Sequence, residues 1–171
     1  KKIVGLISNK VYDSETAKKT LRYGRILFMT DQDLDGSHIK GLCINMFHSQ
    51  WHDLVKIPNF LGFMNTPILK ATKGKKVKSF YNLSDFEKWK KTIKNSQNWK
   101  VKYYKGLGTS TSREAKEYFK EMNVTEYIWN NEECSNSIEA FFNKNADGRK
   151  VKLEKYDFNN TLDNNVKKVA Y

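Results

Sequence analysis

Three carboxylates stand at alternate positions in Asp31-Gln32-Asp33-Leu34-Asp35-Gly36. Crowded into one tight loop they repel one another, and a divalent cation among them is the simplest remedy. Carboxylate oxygens are hard ligands suited to magnesium or manganese. Magnesium is usually held by only one or two carboxylates, with water and substrate phosphates completing its octahedron. The same acids could instead cap the helix that follows, because aspartate is favoured near helix N-termini, although three in one turn exceed what capping needs. An EF-hand loop also opens with alternating acids and a glycine. It demands a bidentate glutamate at its twelfth position, which counted from Asp31 is Leu42, and an incoming helix where this sequence reads as a strand. The calcium-loop reading is rejected on both counts.

A second segment, Lys105-Gly106-Leu107-Gly108-Thr109-Ser110, sets two glycines beside a lysine and two hydroxyls. Its backbone could approach a phosphate that Lys105 neutralises, or it could be a plain strand-to-helix turn. It is not a Walker loop, which needs GK[ST] after its spaced glycines. Ser37 lacks a nucleophile-elbow sequence, and His48 and His52 fall on a helix with no partner ligands at zinc spacing, so both are expected on the surface. Cys43 and Cys134 stand far apart and offer neither a zinc set nor a disulfide framework, which favours a reducing compartment. Lys76, Lys78, Lys88, Lys90, Lys91 and Lys94 lie among Phe80, Tyr81 and Trp89 and could make a basic surface, though most of those aromatics should belong to the core.

The elements that must position these residues follow from periodicity. Residues 24–30, GRILFMT, form a short apolar run that reads as a buried strand delivering Asp31 at its end. From Ser37, suited to an N-cap, the residues Ile39, Leu42, Cys43, Met46 and Phe47 recur at helical spacing as far as Trp51. Residues 68–71 and 77–81 flank a Lys73-Gly74-Lys75 turn as a hairpin with exposed lysines. Ser84 and Glu87 have capping-box spacing, as do Thr111 and Glu114; WKVKYY at 99–104 alternates as a strand, and 123–129 reads as another. Ile138, Phe141 and Phe142 give a helical stripe after Ser135, and an Asn-rich tail from Tyr156 carries weak signals. Alternating strands and helices imply an α/β sheet with parallel strands, whose ligands gather at the strands' carboxyl ends.

With 171 residues, 39% hydrophobic and 13% aromatic, the chain has material for one domain plus a tail and is not wholly disordered. No apolar run approaches the ~20 residues of a membrane span. The first residues are Lys1 and Lys2 rather than methionine, as expected of an excerpt from something longer. A net charge of +12 and a pI of about 9.6 suit a polyanionic partner such as nucleic acid. Only Arg22, Arg25, Arg113 and Arg149 are arginines, so a compositional bias toward lysine and asparagine is the competing explanation.

TDQDLDGSHIKGL at 30–42 and YYKGLGTS at 103–110 together resemble the paired signatures of the eukaryotic-type type IIA DNA topoisomerases. Similarity extends to KKIVGL at the start, LRYG at 21–24, the segments around Phe80 and Glu87, and Ala146-Asp147-Gly148-Arg149-Lys150. The resemblance implies a TOPRIM, Rossmann-like α/β sheet with helical crossovers, lacking its first strand, and followed by a helical and irregular C-terminal extension. It divides the chain into a partial TOPRIM domain at 1–129 and a helical segment and linker at 130–171. The linker would lead toward a winged-helix domain carrying the nucleophilic tyrosine.

The resemblance further implies Mg2+, or Mn2+, held by Asp31 and Asp33 with Asp35 supporting the acidic cluster. Arg149 and Lys150 would contact double-stranded DNA, with Lys40 and Lys105 as further candidates. ATP would be bound outside this chain, and the intact protein would be a homodimer in the nucleus, or in the cytoplasm if viral. A glutamate ligand from an EGDSA-like motif and a basic PLRGK-like segment are expected in the family and are absent from this sequence. Gly148 stands where the family commonly has an acid, and Lys152 where it commonly has tryptophan. Two rival readings are another TOPRIM enzyme, a primase or nuclease, and a non-catalytic basic DNA-binding module whose acidic loop is structural.

Overall fold

A computed structural model describes residues 1–155 and 167–171. In chain order the first elements are α1 (Ser14–Thr20), β1 (Ile26–Phe28), α2 (Leu34–Gln50), α3 (His52–Lys56), β2 (Leu61–Met64), β3 (Leu69–Lys73) and β4 (Lys76–Phe80). There follow α4 (Leu83–Thr92), β5 (Lys100–Tyr103), α5 (Ser112–Glu121), β6 (Val124–Ile128), α6 (Glu132–Phe142), α7 (Ala146–Glu154) and β7 (Lys168–Ala170). They gather into two compact units, one of residues 1–28, 39–63 and 125–171, the other of 29–38 and 64–124.

The first unit is built on a sheet of order β1-β2-β6-β7. β1 and β2 are parallel, from Ile26 opposite Leu61 to Phe28 opposite Phe63. Parallel neighbours require a crossover, and α2 and α3 supply it. Every residue of β2 is buried, as expected for an inner strand covered on both faces. The core collects Tyr12, Trp51, Leu54, Val55, Phe60 and Leu61, each at most 3% exposed. The irregular first residues are tied to it by polar tips of buried aromatics. Trp51 Nε1 donates to the Ile7 carbonyl at 2.8 Å, and the Tyr12 hydroxyl accepts from the Ile7 N–H at 2.9 Å.

The second unit holds an antiparallel sheet of order β4-β3-β5. Successive residues of β3 face opposite ways, and this alternation sorts its neighbours. Leu69 and Ala71 pack with Phe80, and Phe86 and Trp89 of α4 close over them with Trp99. On the other face the buried Lys70 extends its ammonium to Glu117 of α5 at 3.4 Å, 5.0 Å from the Tyr118 ring centroid. The hairpin, the strand at 100–103 and the helix after Thr111 stand where the sequence places them, and Thr111 and Glu114 form a reciprocal capping box.

Three expectations need correction. Strands do not alternate with crossovers throughout, because β3, β4 and β5 are joined antiparallel, by a tight turn between β3 and β4 and by α4 between β4 and β5. Helix α2 begins at Leu34, three residues before Ser37, because Asp33 rather than Ser37 caps it: Asp33 Oδ1 accepts the Gly36 N–H at 2.8 Å while the Ser37 hydroxyl donates to the Asp33 carbonyl. Likewise Asn82 caps α4 by accepting the Asp85 N–H at 2.7 Å, displacing the box read at Ser84 and Glu87. Most of the Asn-rich tail, 156–166, lies outside the described residues; beyond it β7 pairs parallel with β6. No helix among the described residues is long and apolar enough to cross a membrane.

Leu54 is wholly buried in the first unit's core. Leu54→Ala should therefore destabilise the fold by about 2–5 kcal/mol, the cost of lost burial plus the cavity left behind. Urea unfolding of wild type and variant measures it; a difference within error would mean the site collapses around the smaller side chain.

Candidate metal and phosphate site

The chain leaves β1 at Phe28 and turns through Met29 and Thr30 into the acidic loop. The Thr30 hydroxyl donates to the Gly36 carbonyl at 3.1 Å and closes that loop on itself. Gly36 is there because nothing larger fits: a Cβ at this position would lie 1.9 Å from the Asp31 carbonyl oxygen. Asp33 is committed to the start of α2, its Oδ1 to Gly36 N–H and its carbonyl to Ser37 N–H at 3.1 Å. Asp31 is half-buried, while Asp33 and Asp35 are exposed.

The second motif meets this loop directly. Leu107 N–H donates to Asp31 Oδ1 at 2.6 Å, a bond between residues 76 positions apart. Gly106 makes the approach possible, since a Cβ there would stand 2.8 Å from Asp31 Oδ2. The turn at Leu107–Thr109 is a single 3-10 turn, and Glu114 ties together the residues that flank it on either side. Glu114 accepts from the Thr111 N–H at 2.7 Å, from the Lys102 ammonium at 2.9 Å and from the Tyr104 hydroxyl. Burial by itself would raise this carboxyl, but those donors win and hold it at about 2. Burial and the neighbouring Glu114 carboxylate push the Tyr104 hydroxyl above the usual tyrosine range. The Ser110 and Tyr118 hydroxyls, 3.3 Å apart, add a further tie. Beside this turn lies a cavity of about 200 Å³ whose lining includes Ser110, Thr111 and Ser112.

Among the described residues no three His, Cys, Asp or Glu side chains converge into a metal-holding group. Asp31, Asp33 and Asp35 are thus not a preformed three-carboxylate cage. The donor chemistry still suits magnesium. Asp31 and Asp33 each give one oxygen to a main-chain N–H and keep one hard oxygen, and magnesium takes few protein ligands when phosphate and water supply the rest.

The four candidate DNA-contacting residues are placed differently. Lys105 is exposed beside Gly106, in the same unit as the aspartates. Lys40, Arg149 and Lys150 belong to the other unit. Lys40 is 7% exposed, its ammonium 4.5 Å from the Phe63 ring centroid. Arg149 donates from Nη1 to the carbonyls of Asn143 at 2.6 Å and Phe141 at 3.2 Å, fastening α7 to the end of α6. Lys150 is exposed, 3.4 Å from Asp147. His48 is not a surface residue: it is buried, Nε2 is 2.9 Å from the Ser135 hydroxyl, and burial followed by neighbouring His52 lowers its pKa. Sequence periodicity missed the roles of Lys102 and Tyr104, yet the signal exists. Two residues apart on an alternating strand, they share a face and meet the same carboxylate.

Comparison with known proteins supplies the context. The profile of the C-terminal associated domain of TOPRIM matches residues 64–171. The chain is 46% identical to DNA topoisomerase 2 of Pisum sativum over 176 aligned residues, covering 100% of this chain and 12% of that protein. It is 50% identical to DNA topoisomerase 2-beta of Homo sapiens over 159, covering 91% of this chain and 10% of that protein. The crystal structure of the Plasmodium falciparum topoisomerase II DNA-binding, cleavage and re-ligation domain superposes with a TM-score of 0.89 at 40% identity, over 99% of this chain and 23% of that one. The chain thus spans about a tenth of the length of the curated relatives it matches.

Glu114 titrates well below its ordinary 4.5, so its contribution to stability is complete above about pH 4.5 and is lost as pH falls toward about 2. Glu114→Gln should lower the urea midpoint at neutral pH, and the gap from wild type should close between those two pH values. A gap that stays constant with pH would show that the carboxylate's charge does not hold the turn.

Proposed function

This chain belongs to the family of the C-terminal associated domain of TOPRIM, and from that membership we propose that it is the metal-binding portion of an ATP-dependent type II DNA topoisomerase. Such an enzyme cuts both strands of a duplex, passes a second duplex through the gap and reseals the break. The observation that carries the reading is the 2.6 Å bond from Leu107 N–H to Asp31, which joins the two signature motifs into one loop pair.

In this reading Asp31 and Asp33 hold Mg2+, with Asp35 adding negative charge nearby. When bound, the ion supplies stabilisation of charge developing on phosphate oxygens. The chain's own residues do the positioning. Leu107 N–H fixes the orientation of the Asp31 carboxylate, Gly36 and Gly106 leave it room, and Glu114 ties Lys102 and Tyr104 before the turn to Thr111 after it. Lys105 neutralises a phosphate close to the glycines. Lys150 contacts the DNA backbone, while Arg149 sets the start of α7 through its carbonyl contacts. Lys40, buried over Phe63, is the least accessible of the four. The nucleophilic tyrosine and the ATP site belong to other parts of the longer protein, which acts as a nuclear homodimer. A structural reading of the acidic loop draws support from Asp33, whose side chain caps α2; it leads to a DNA-binding module without cleavage.

Plasmid relaxation by the full-length protein separates the two. Relaxation should require ATP and Mg2+, and Asp33→Ala should reduce cleavage and relaxation by at least about 100-fold, no less than the loss of an outer partner of a metal ligand. Undiminished cleavage in Asp33→Ala would remove that residue from the metal site, and a wild-type protein that neither cleaves nor relaxes would overturn the topoisomerase reading in favour of the binding module.

A further inference from the structure

Residues 71–99 carry eight lysines against two acids, Asp85 and Glu87, a surplus of six that is half of the chain's +12 in a short stretch. Four of the lysines, Lys73, Lys75, Lys76 and Lys78, belong to the β3–β4 hairpin, and all four are exposed. The other four follow on α4 and just beyond it. Lys88, Lys90, Lys91 and Lys94 are exposed as well, because Phe86 and Trp89 are the residues that α4 turns inward onto the sheet. Lys78 joins the two groups: its ammonium lies 5.6 Å from the Phe80 ring centroid and 5.9 Å from that of Trp89.

The pairing of charges in this unit is uneven. The ladder sets Lys70 opposite Lys102 and Lys73 opposite Lys76, like charges facing across the strands, which destabilises a sheet. At the first pair the fold provides its own remedy, Glu117 for Lys70 at 3.4 Å and Glu114 for Lys102 at 2.9 Å. At the second pair it provides none. Among the described residues none of the eight lysines takes part in an ion pair, and the third acid-base contact of α5, Arg113 with Glu117, draws on a carboxylate already used.

We propose that the β3–β4 hairpin and the outer face of α4 form an accessory binding surface for the phosphate backbone of duplex DNA, separate from the aspartate loop. The missing counter-charge is then external, a polyanion with closely spaced charges, and a duplex presents one about every 1.7 Å along its axis. Duplex is favoured over single strand by the aromatics. Phe80, Phe86, Trp89 and Trp99 pack on one another and on Leu69 and Ala71, so they are not a platform on which unpaired bases stack. Lysine contacts to phosphate position a duplex without reading its sequence, so the surface is indifferent to base order. It deepens the topoisomerase reading and rests on it only for the identity of the nucleic acid.

The test uses the full-length protein with a linear mixed-sequence duplex, and a single strand of equal length, in EDTA without ATP, so that the metal loop plays no part. Lys75→Gln/Lys76→Gln/Lys94→Gln should flatten the plot of log affinity against log salt by about 2 to 3 units, near 0.9 for each phosphate contact removed. A control, Lys18→Gln/Lys116→Gln/Lys120→Gln, removes the same charge from exposed lysines elsewhere and should leave the slope near wild type. An unchanged slope in the first variant, an equal fall in the control, or tighter binding of single strand than duplex would each overturn the proposal. The two readings fail separately. Asp33→Ala is read on magnesium-dependent cleavage and the triple-lysine variant on the salt slope in EDTA, so loss of cleavage in the first speaks only to the metal loop and loss of slope in the second only to this surface.

Discussion

The bond from Leu107 N–H to Asp31 is the constraint on which the candidate site depends. A carboxylate at the end of a short strand, followed by two more in the next four residues, has no reason of its own to take a single orientation. Here one of its oxygens is fixed from a distant loop, and the loop can approach only because two glycines flank the carboxylate. Gly36 lies against its main chain and Gly106 against its side chain. Glu114 then ties together the residues on either side of that loop through a main-chain N–H, a lysine and a tyrosine.

The same unit shows how carboxylates and lysines are divided between holding the fold and facing solvent. Lys70 and Lys102 are taken up by α5, and one member of each pair, Lys70 and Glu114, is shielded from water, where a charged hydrogen bond is stronger than at a fully exposed surface. The hairpin and α4 lysines have no such role in the fold. In the first unit a similar economy operates at Glu126, a buried carboxylate whose Oε1 accepts the Asn59 N–H at 2.6 Å, where Asn59 adopts a positive φ of 63°. Glu126 is thus satisfied in the interior, as the cost of leaving a buried carboxylate unpaired requires.

How legible this was in the sequence depended on the range of the interaction. Local signals read well: the hairpin about Gly74, the capping box at Thr111 and Glu114 and the alternation of WKVKYY appear in the structure, and the strand before Asp31 appears shortened to Ile26–Phe28 and only half-buried rather than buried. Helix starts were read too late. Ser37 and Ser84 are good caps by composition, but Asp33 and Asn82 reach the free N–H groups first, and nothing in local propensity ranks one of these above the other. The antiparallel pairing of β3 with β5, the burial of His48 against Ser135 and the strand β7 all depend on partners distant in the chain, which periodicity does not encode. The meeting of the two motifs, a bond across 76 positions, was not legible in either segment, and the residues of the second read more readily as a plain turn than as a phosphate loop.

Capping and metal binding look like rival explanations of three aspartates in one turn, but the geometry makes them compatible. A carboxylate has two oxygens. Asp33 uses one to begin α2, and Asp31 uses one to accept the N–H of Leu107. Each side chain has therefore already lost most of the rotamer freedom that a ligand would otherwise have to remove, and each retains an oxygen. Main-chain N–H groups also relieve part of the repulsion among the three acids. In the proposed metal-binding reading, the structural use of Asp31 and Asp33 is also what would orient them for an ion.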